Sequence, residues 1–225
     1  NPDKQSGYKY LFEYYDAGKP GFEGRATVPV VVDQIEKKAV QNDYHKLTNY
    51  FETAFKEFQK KDAPDLYPED LRDEIDALNE WLFPNINNAT YRMMFSRSLE
   101  AYTEAYEDFV KALEYLDARL ENNRFLFGDY VTDSDVRLYV TLVRWEVAYY
   151  RFLGTVEKGL RGYKNLWAYA RDLYQTKGIG DTTNFYAIKK HYHLCCVPNP
   201  YKILPLGPNL DEWNSPHGRD TREYK

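Results

Sequence analysis

The chain has 225 residues, of which 43% are hydrophobic and 29% charged, and this composition excludes an intrinsically disordered protein. Its net charge of −5 argues against nonspecific binding to nucleic acid, which requires a basic face. No apolar run approaches the roughly 18 residues of a membrane-spanning helix, so no membrane span is expected. The two cysteines, Cys195 and Cys196, are adjacent. This spacing favours a reducing interior, either cytoplasmic or inside an organelle (plastid or mitochondrion), over secretion.

The N-terminal part predicts two short strands followed by a helix. The β-branched run from Thr27 to Asp33 is typical of a buried strand, with Pro29 tolerated near its beginning. Ala39-Val40 indicates a second strand, and apolar residues at helical spacing predict a helix over Tyr44–Phe58 that covers one face of the sheet. One sheet edge stays open in such a unit. We therefore expect it to be covered by further residues of the chain or by another protein.

A polar, proline-bearing linker over Lys60–Pro68 separates this unit from a helical region, and we place the domain boundary between residues 60 and 61. The longest apolar pattern runs from Leu99 to Leu120. It predicts one helix of a bundle rather than a coiled coil. Further apolar spacings predict helices over residues 71–82, 132–147, 166–174 and 183–192. From Pro198 onward the proline-rich tail is expected to be irregular and held by packing on the bundle.

The helix that begins after Thr132 is predicted to lie at the centre of the bundle. Thr132 and Asp135 have the spacing of a capping box, in which each residue satisfies a backbone amide of the other. The predicted buried stripe beyond the box consists of Val136, Val140, Val143 and Val147, widened by Leu138 and Leu142.

Several segments, in order along the chain, carry a resemblance to a known family. They are GRATVPVVVD (24–33), LYPEDLRDEIDALNEWLF (66–83), FLFGDYVTDSDVRLYVTLVRWE (125–146), the run 163–192, and the tail motifs LPLGP (204–208) and PHGRD (216–220). They resemble the glutathionyl-hydroquinone reductases, which are Xi-class, omega-like glutathione transferases.

The resemblance implies an α+β, mostly helical fold. In it, the C-terminal half of a thioredoxin-like domain (residues 1–60) precedes an all-helical glutathione-transferase C-terminal domain (61–225). It also implies that Pro29 is a cis-proline beside glutathione, with the backbone of Val28 facing that ligand. Members of the family dimerise, so a homodimer or a larger protein assembly is expected.

The family's reaction removes glutathione from a glutathionyl-hydroquinone. A cysteine thiolate attacks the thioether sulfur, and a second glutathione resolves the mixed disulfide. That cysteine lies in the family's first strand–helix turn, and the 225 residues contain no counterpart, so we assign no catalytic residue. The chain starts at Asn1 without a signal-peptide pattern. We interpret it as a processed or incomplete product that lacks the N-terminal part with the catalytic cysteine.

The family's Asn-Glu-Ser motif, which holds the γ-glutamyl end of glutathione, corresponds to residues 42–44. Asp43 keeps the carboxylate, but Tyr44 replaces a small hydroxyl donor by a bulky ring at a position of close contact. We interpret Val28, Pro29, Asp43 and Tyr44 as a vestigial glutathione site. Glutathione is therefore expected to bind weakly or not at all.

Tyr91 and Tyr192 match family tyrosines that contact the quinol hydroxyl, and a phenol can donate a hydrogen bond to an oxygen that gains charge. With His191 they form the expected quinol-binding set for a phenolic or quinone ligand. The alternative is that they are ordinary core tyrosines, since the chain has 22 of them.

Four side chains near residue 195 superficially resemble a metal cluster: His191, His193, Cys195 and Cys196. Their spacing matches no strong zinc pattern, and ligands on adjacent residues fit tetrahedral coordination poorly. We therefore expect no metal. We also do not expect either cysteine to replace the missing nucleophile, because no helix N-terminus is predicted beneath them.

Three functions stay open. The favoured one is a glutathione-transferase-fold protein without catalysis, serving as a structural or interaction subunit of a dimer or larger assembly. The alternative is an active reductase of glutathionyl-hydroquinones whose cysteine segment is missing from this sequence. The third is a binding module that retains an aromatic pocket for a phenolic or quinone ligand. Tyr44 favours the first, because its replacement of the serine does not depend on where the chain begins.

Overall fold

The computed structural model describes residues 2–151, 158–196 and 198–221. The fold is α+β and mostly helical, as expected, and it separates into two compact units, residues 1–67 and 68–225. The linker Lys60–Pro68 spans this division, and the domain boundary after residue 60 stays a prediction.

The N-terminal unit contains α1 (Leu11–Gly18), β1 (Val31–Asp33), β2 (Lys38–Gln41) and α2 (Tyr44–Thr53). The two strands are antiparallel, with Val31 opposite Gln41. The first strand begins at Val31 rather than Thr27, because Pro29 has no N–H with which to join the hydrogen-bond ladder. Within the described residues each strand has one unpaired edge. The need for a covering segment stays a prediction.

The helix that packs on β2 is α1, not α2. A Cβ on Gly18 would lie 2.6 Å from the carbonyl oxygen of Ala39, so only glycine permits this close approach of the two backbones. By contrast, α2 has no buried residue. The prediction that the helix over Tyr44–Phe58 covers the sheet is wrong, and this helix ends earlier, at Thr53.

The second unit consists of α3 (Arg72–Leu82), α4 (Ala89–Phe95), α5 (Leu99–Arg119), α6 (Asp133–Trp145), α7 (Lys164–Gln175), α8 (Phe185–His191) and α9 (Leu210–Trp213). Wide helical turns follow α3 and α8, at Phe83–Asn87 and Tyr192–Cys196. Helix α5 packs against α4 and α7, which confirms it as one helix of a bundle. In the described part of the chain, no helix combines the length and the apolar character needed to cross a membrane.

The predicted buried stripe of α6 is confirmed at Leu138, Leu142, Val143 and Val147 but not at Val140. Leu138 and Leu142 are fully buried and Trp145 is 4% exposed, whereas Val140 is 39% exposed. Leu138, Leu142 and Trp145 recur at spacings of four and three residues, so they share one face of the helix. The prediction of a valine-centred stripe is therefore wrong at Val140. Trp145, which the sequence analysis did not include, joins Leu138 and Leu142 in the interior.

The capping box at the start of α6 is confirmed and lies completely inside the unit. One carboxylate oxygen of Asp135 accepts from the amide of Thr132 (2.7 Å) and from its hydroxyl (2.8 Å). The other accepts from the amide of Leu126 (2.9 Å) and the hydroxyl of Tyr169 (2.7 Å). Burial raises the pKa of Asp135, and these four donors act in the opposite direction. The cap therefore also joins α6 to α7 and to the preceding loop.

The C-terminal tail packs on the bundle, as predicted. It contains the short helix α9, whose Trp213 is fully buried among the rings of Trp167, Tyr174 and Phe185. Further along, Arg219 is 2% exposed and donates to carbonyl groups near the end of α5. The last carbonyl groups of a helix have no N–H partner within the helix, and Arg219 supplies the missing hydrogen-bond donors.

Candidate functional site

Three tyrosine hydroxyls meet inside the helical unit. Tyr91 lies on α4, Tyr149 in the turn Tyr149–Arg151 after α6, and Tyr192 at the first residue after α8. The oxygen–oxygen distances are 2.6 Å for Tyr91–Tyr192, 3.1 Å for Tyr149–Tyr192 and 3.2 Å for Tyr91–Tyr149. We call this group the phenol cluster (Tyr91, Tyr149, Tyr192). It brings together two residues of the predicted quinol site, and it adds Tyr149, which the sequence analysis missed.

The cluster lies at the edge of the core. Tyr149 and Tyr192 are 4% and 8% exposed, whereas Tyr91 is only half-buried. Burial raises the pKa of Tyr192 to about 12, and it raises the pKa of Tyr149 well above its ordinary value, with Tyr192 adding to that effect. Both buried phenols therefore stay protonated at neutral pH, and each keeps a hydrogen to donate.

Two side-chain tethers hold the elements that carry the cluster. Asn87, in the wide turn before α4, donates to the carbonyl of Arg137 and to the hydroxyl of Thr141, both at 2.8 Å, and so ties α4 to α6. The buried imidazole of His193 lies 2.8 Å from the carbonyl of Val147 and ties the turn after α8 to the segment after α6. The turns that carry Tyr149 and Tyr192 are therefore tied to each other, and the segment before α4 is tied to α6.

His191, the third predicted quinol-site residue, is exposed. Its ring meets the Tyr192 ring edge-on at 5.1 Å, and its Nε2 lies 3.6 Å from the sulfur of Cys196. Burial, followed by the neighbouring Cys195, raises the pKa of the Cys196 thiol. A raised thiol pKa disfavours the thiolate that a nucleophile needs. Within residues 2–151, 158–196 and 198–221, no three potential ligands come together as a metal site would require.

The predicted glutathione residues lie in the N-terminal unit. The Val28–Pro29 peptide bond is cis, as the resemblance implies, and Val28 is 74% exposed. Asp43 caps α2, where its carboxylate accepts from the amide of His45 at 3.2 Å. The Tyr44 ring lies against the His45 ring at 4.1 Å, and burial, together with the charge of Asp43, raises its pKa. The carboxylate is thus engaged in the helix cap, and Tyr44 supplies only a neutral phenol.

A separate cavity of about 410 Å³ opens on the helical unit. It is lined by Glu74, Ala77, Leu78, Trp81, Tyr115, Arg119 and Phe127, none of which the sequence predicts as a site residue. The guanidinium of Arg119 already donates to the carbonyl of Leu126 at 2.7 and 3.0 Å. These two bonds hold the Arg119 guanidinium against the backbone, and the described lining residues bring no set of hydroxyls together in this cavity as the phenol cluster does.

Comparison with known proteins connects the chain to a family. Residues 100–172 match the family described as glutathione S-transferase, C-terminal domain. The chain is 37% identical over 217 residues to the glutathionyl-hydroquinone reductase YqjG of Escherichia coli, and the match covers 95% of this chain. The chain spans 65% of the length of that relative.

Solved structures of glutathione transferases also match the chain, with high TM-scores. The glutathione-bound structure of YqjG from Escherichia coli K-12 is 36% identical, with a TM-score of 0.85, and the match covers 99% of this chain and 72% of that one. A Xi-class glutathione transferase from Natrialba magadii is 35% identical, with a TM-score of 0.88 and coverage of 99% and 68%.

Proposed function

The chain belongs to the Xi-class glutathione transferases, and on that premise we propose that its phenol cluster binds the aromatic end of a phenolic or quinol ligand. The observation that carries the proposal is the convergence of three hydroxyls, within 2.6 to 3.2 Å of one another, from three separate elements. The relative YqjG is named as a glutathionyl-hydroquinone reductase, so a glutathionyl-hydroquinone is the ligand class we propose.

The chemistry assigned to this chain is hydrogen-bond donation to the ligand's phenolic oxygen. Tyr91 is the half-buried member of the cluster, so its hydroxyl is the one we propose to meet that oxygen. Positioned donors stabilise negative charge that develops on an oxygen, and they do so more strongly where water is excluded. We place His191, whose ring touches that of Tyr192, on the outer side of the same ligand. No residue of this chain is assigned to thiolate attack.

Removal of the Tyr91 hydroxyl tests this proposal. We expect Tyr91→Phe to weaken binding of para-nitrophenolate about tenfold, because a hydrogen bond to a charged oxygen contributes about 1.5 kcal/mol or more. Binding is measured by titration, following the ligand's visible absorbance. The matched control is Tyr139→Phe, since Tyr139 is also buried but bonds to Thr183 at 2.9 Å outside the cluster. Equal affinities for the two variants would refute the proposal.

A second candidate function is a subunit without turnover, acting through a homodimer or a larger protein assembly. Two observations in the N-terminal unit favour it. The resemblance places Tyr44 at the family's serine position, and the Asp43 carboxylate accepts from the amide of His45. We expect both features to weaken contacts with the γ-glutamyl end of glutathione, and without glutathione the reductase reaction has no resolving thiol.

Glutathione binding separates a subunit without turnover from an active reductase. We expect reduced glutathione to bind with a Kd weaker than about 1 mM in titration calorimetry. Tyr44→Ser restores the small hydroxyl donor and is expected to strengthen binding. Tyr50→Ser, on the same helix and also exposed, is the control that should not change it. Clear sub-millimolar binding by the unmodified chain would instead favour the reductase.

A further inference from the structure

The phenol cluster is a closed ring of hydrogen bonds. Each hydroxyl has one hydrogen and lies within 3.2 Å of both others, so each donates to one neighbour and accepts from the other. In the described part of the chain, the three hydroxyls have no hydrogen-bond partner outside the ring. Hydrogen bonds around a triangle are bent, and bent hydrogen bonds are weaker than straight ones. We therefore expect one hydrogen bond of the ring to break when a ligand oxygen that accepts a stronger hydrogen bond binds.

The three oxygen–oxygen distances indicate which hydrogen bond of the ring breaks when a ligand binds. A ligand oxygen that accepts from Tyr91 must take the hydrogen that Tyr91 donates within the ring. The shortest contact, 2.6 Å between Tyr91 and Tyr192, is the one most favourable to retain. The bond that is given up is then the longest, 3.2 Å, between Tyr91 and Tyr149. What remains is a chain in which Tyr149 donates to Tyr192, Tyr192 donates to Tyr91, and Tyr91 donates to the ligand.

We propose that Tyr149 is a positioning residue which, without touching the ligand, sets the direction of this chain and strengthens the donor at its end. The inference rests on the proposed phenol-binding function of the same cluster. A hydroxyl that accepts a hydrogen bond becomes a better donor, and such chains are cooperative in a water-poor interior. Tyr149 is suited to the far end because it is 4% exposed and its hydroxyl lies 3.1 Å from that of Tyr192.

Removal of the Tyr149 hydroxyl should therefore weaken a ligand contact that Tyr149 does not make. We expect Tyr149→Phe to weaken para-nitrophenolate binding about three- to fivefold, less than the loss for Tyr91→Phe, because it acts through one neighbour. Tyr192→Phe breaks the same chain in its middle and should weaken binding at least as much as Tyr149→Phe. Tyr139→Phe again serves as the control for loss of a buried phenolic hydroxyl.

A double-mutant cycle tests the route of the effect. If Tyr149 acts through Tyr91, the variant Tyr91→Phe/Tyr149→Phe binds no more weakly than Tyr91→Phe alone. The absorption maximum of the bound phenolate gives a readout that general loosening would not reproduce. It should move toward the free-ligand value in Tyr149→Phe, and further in Tyr91→Phe.

The outcomes separate this inference from the proposed function. If Tyr91→Phe weakens binding and Tyr149→Phe matches Tyr139→Phe, the positioning role is overturned while the phenol-binding function stands. Additive losses in the double variant would also overturn it, because Tyr149 would then act independently of Tyr91. If neither single variant differs from Tyr139→Phe, the phenol-binding function itself fails.

Discussion

Asp135→Ala should destabilise the helical unit by about 4 kcal/mol, because it leaves buried donors without an acceptor in a dry interior. The carboxylate accepts four hydrogen bonds, from Leu126, Tyr169 and two groups of Thr132. Whole domains are stable by only about 5–15 kcal/mol. This one substitution therefore removes a large part of the stability.

A graded series makes the test specific. Asp135→Asn keeps the shape and one acceptor oxygen, but its amide hydrogens face the remaining donors. We expect it to lower the free energy of unfolding by about 2 kcal/mol. Thr132→Ala, which removes only the hydroxyl of the capping box, should cost about 1 kcal/mol. Asp129→Ala removes an exposed carboxylate nearby and should stay within about 0.5 kcal/mol of the unmodified chain.

Urea unfolding followed by tryptophan fluorescence measures this series on the helical unit alone. All four tryptophans, Trp81, Trp145, Trp167 and Trp213, lie between residues 68 and 225. The fluorescence signal therefore reports the unfolding of the helical unit alone. A two-state analysis requires a single unfolding transition of this kind. An Asp135→Ala midpoint no lower than that of Asp129→Ala would contradict the central role of the cap.

Arg219→Met should destabilise the same unit by about 3 kcal/mol, because several buried carbonyls lose their donor at once. The Nη2 atom of Arg219 lies 3.1, 2.5 and 2.7 Å from the carbonyl oxygens of Leu120, Asn123 and Arg124. These carbonyls follow the end of α5, where no further helical turn supplies N–H donors. Arg219 thereby joins the C-terminal tail to the longest helix of the bundle.

The charge-conserving variant shows whether geometry or charge is responsible. Arg219→Lys keeps the charge but not the planar guanidinium, and we expect it to recover only about half of the loss. Arg97→Met removes an exposed arginine and serves as the control, expected to change stability by less than about 0.5 kcal/mol. The same fluorescence measurement applies. Full stability in Arg219→Met would mean that water or other groups satisfy these carbonyls equally well.

Local spacing alone determined several features of this protein. Thr132 and Asp135 are three residues apart, and a capping box needs only that separation and the two side chains. The apolar pattern from Leu99 to Leu120 likewise predicted α5 to within one residue, because a helix periodicity is visible within one segment. Family motifs added the fold class and the pairing of Tyr91 with Tyr192, which are 101 residues apart.

Only the tertiary structure decided which residues from distant segments of the chain contact one another. Nothing near Tyr149 marks it among 22 tyrosines, because its partners come from α4 and from the turn after α8. Arg219 has the charge of an exposed residue and is buried, since the carbonyls it serves are nearly a hundred positions away in the chain. The exposure of Val140 in an otherwise buried apolar stripe, and the identity of the helix that covers β2, likewise depend on neighbours. Apolar periodicity predicts an amphipathic helix, but the packing partners decide which of its apolar residues are buried.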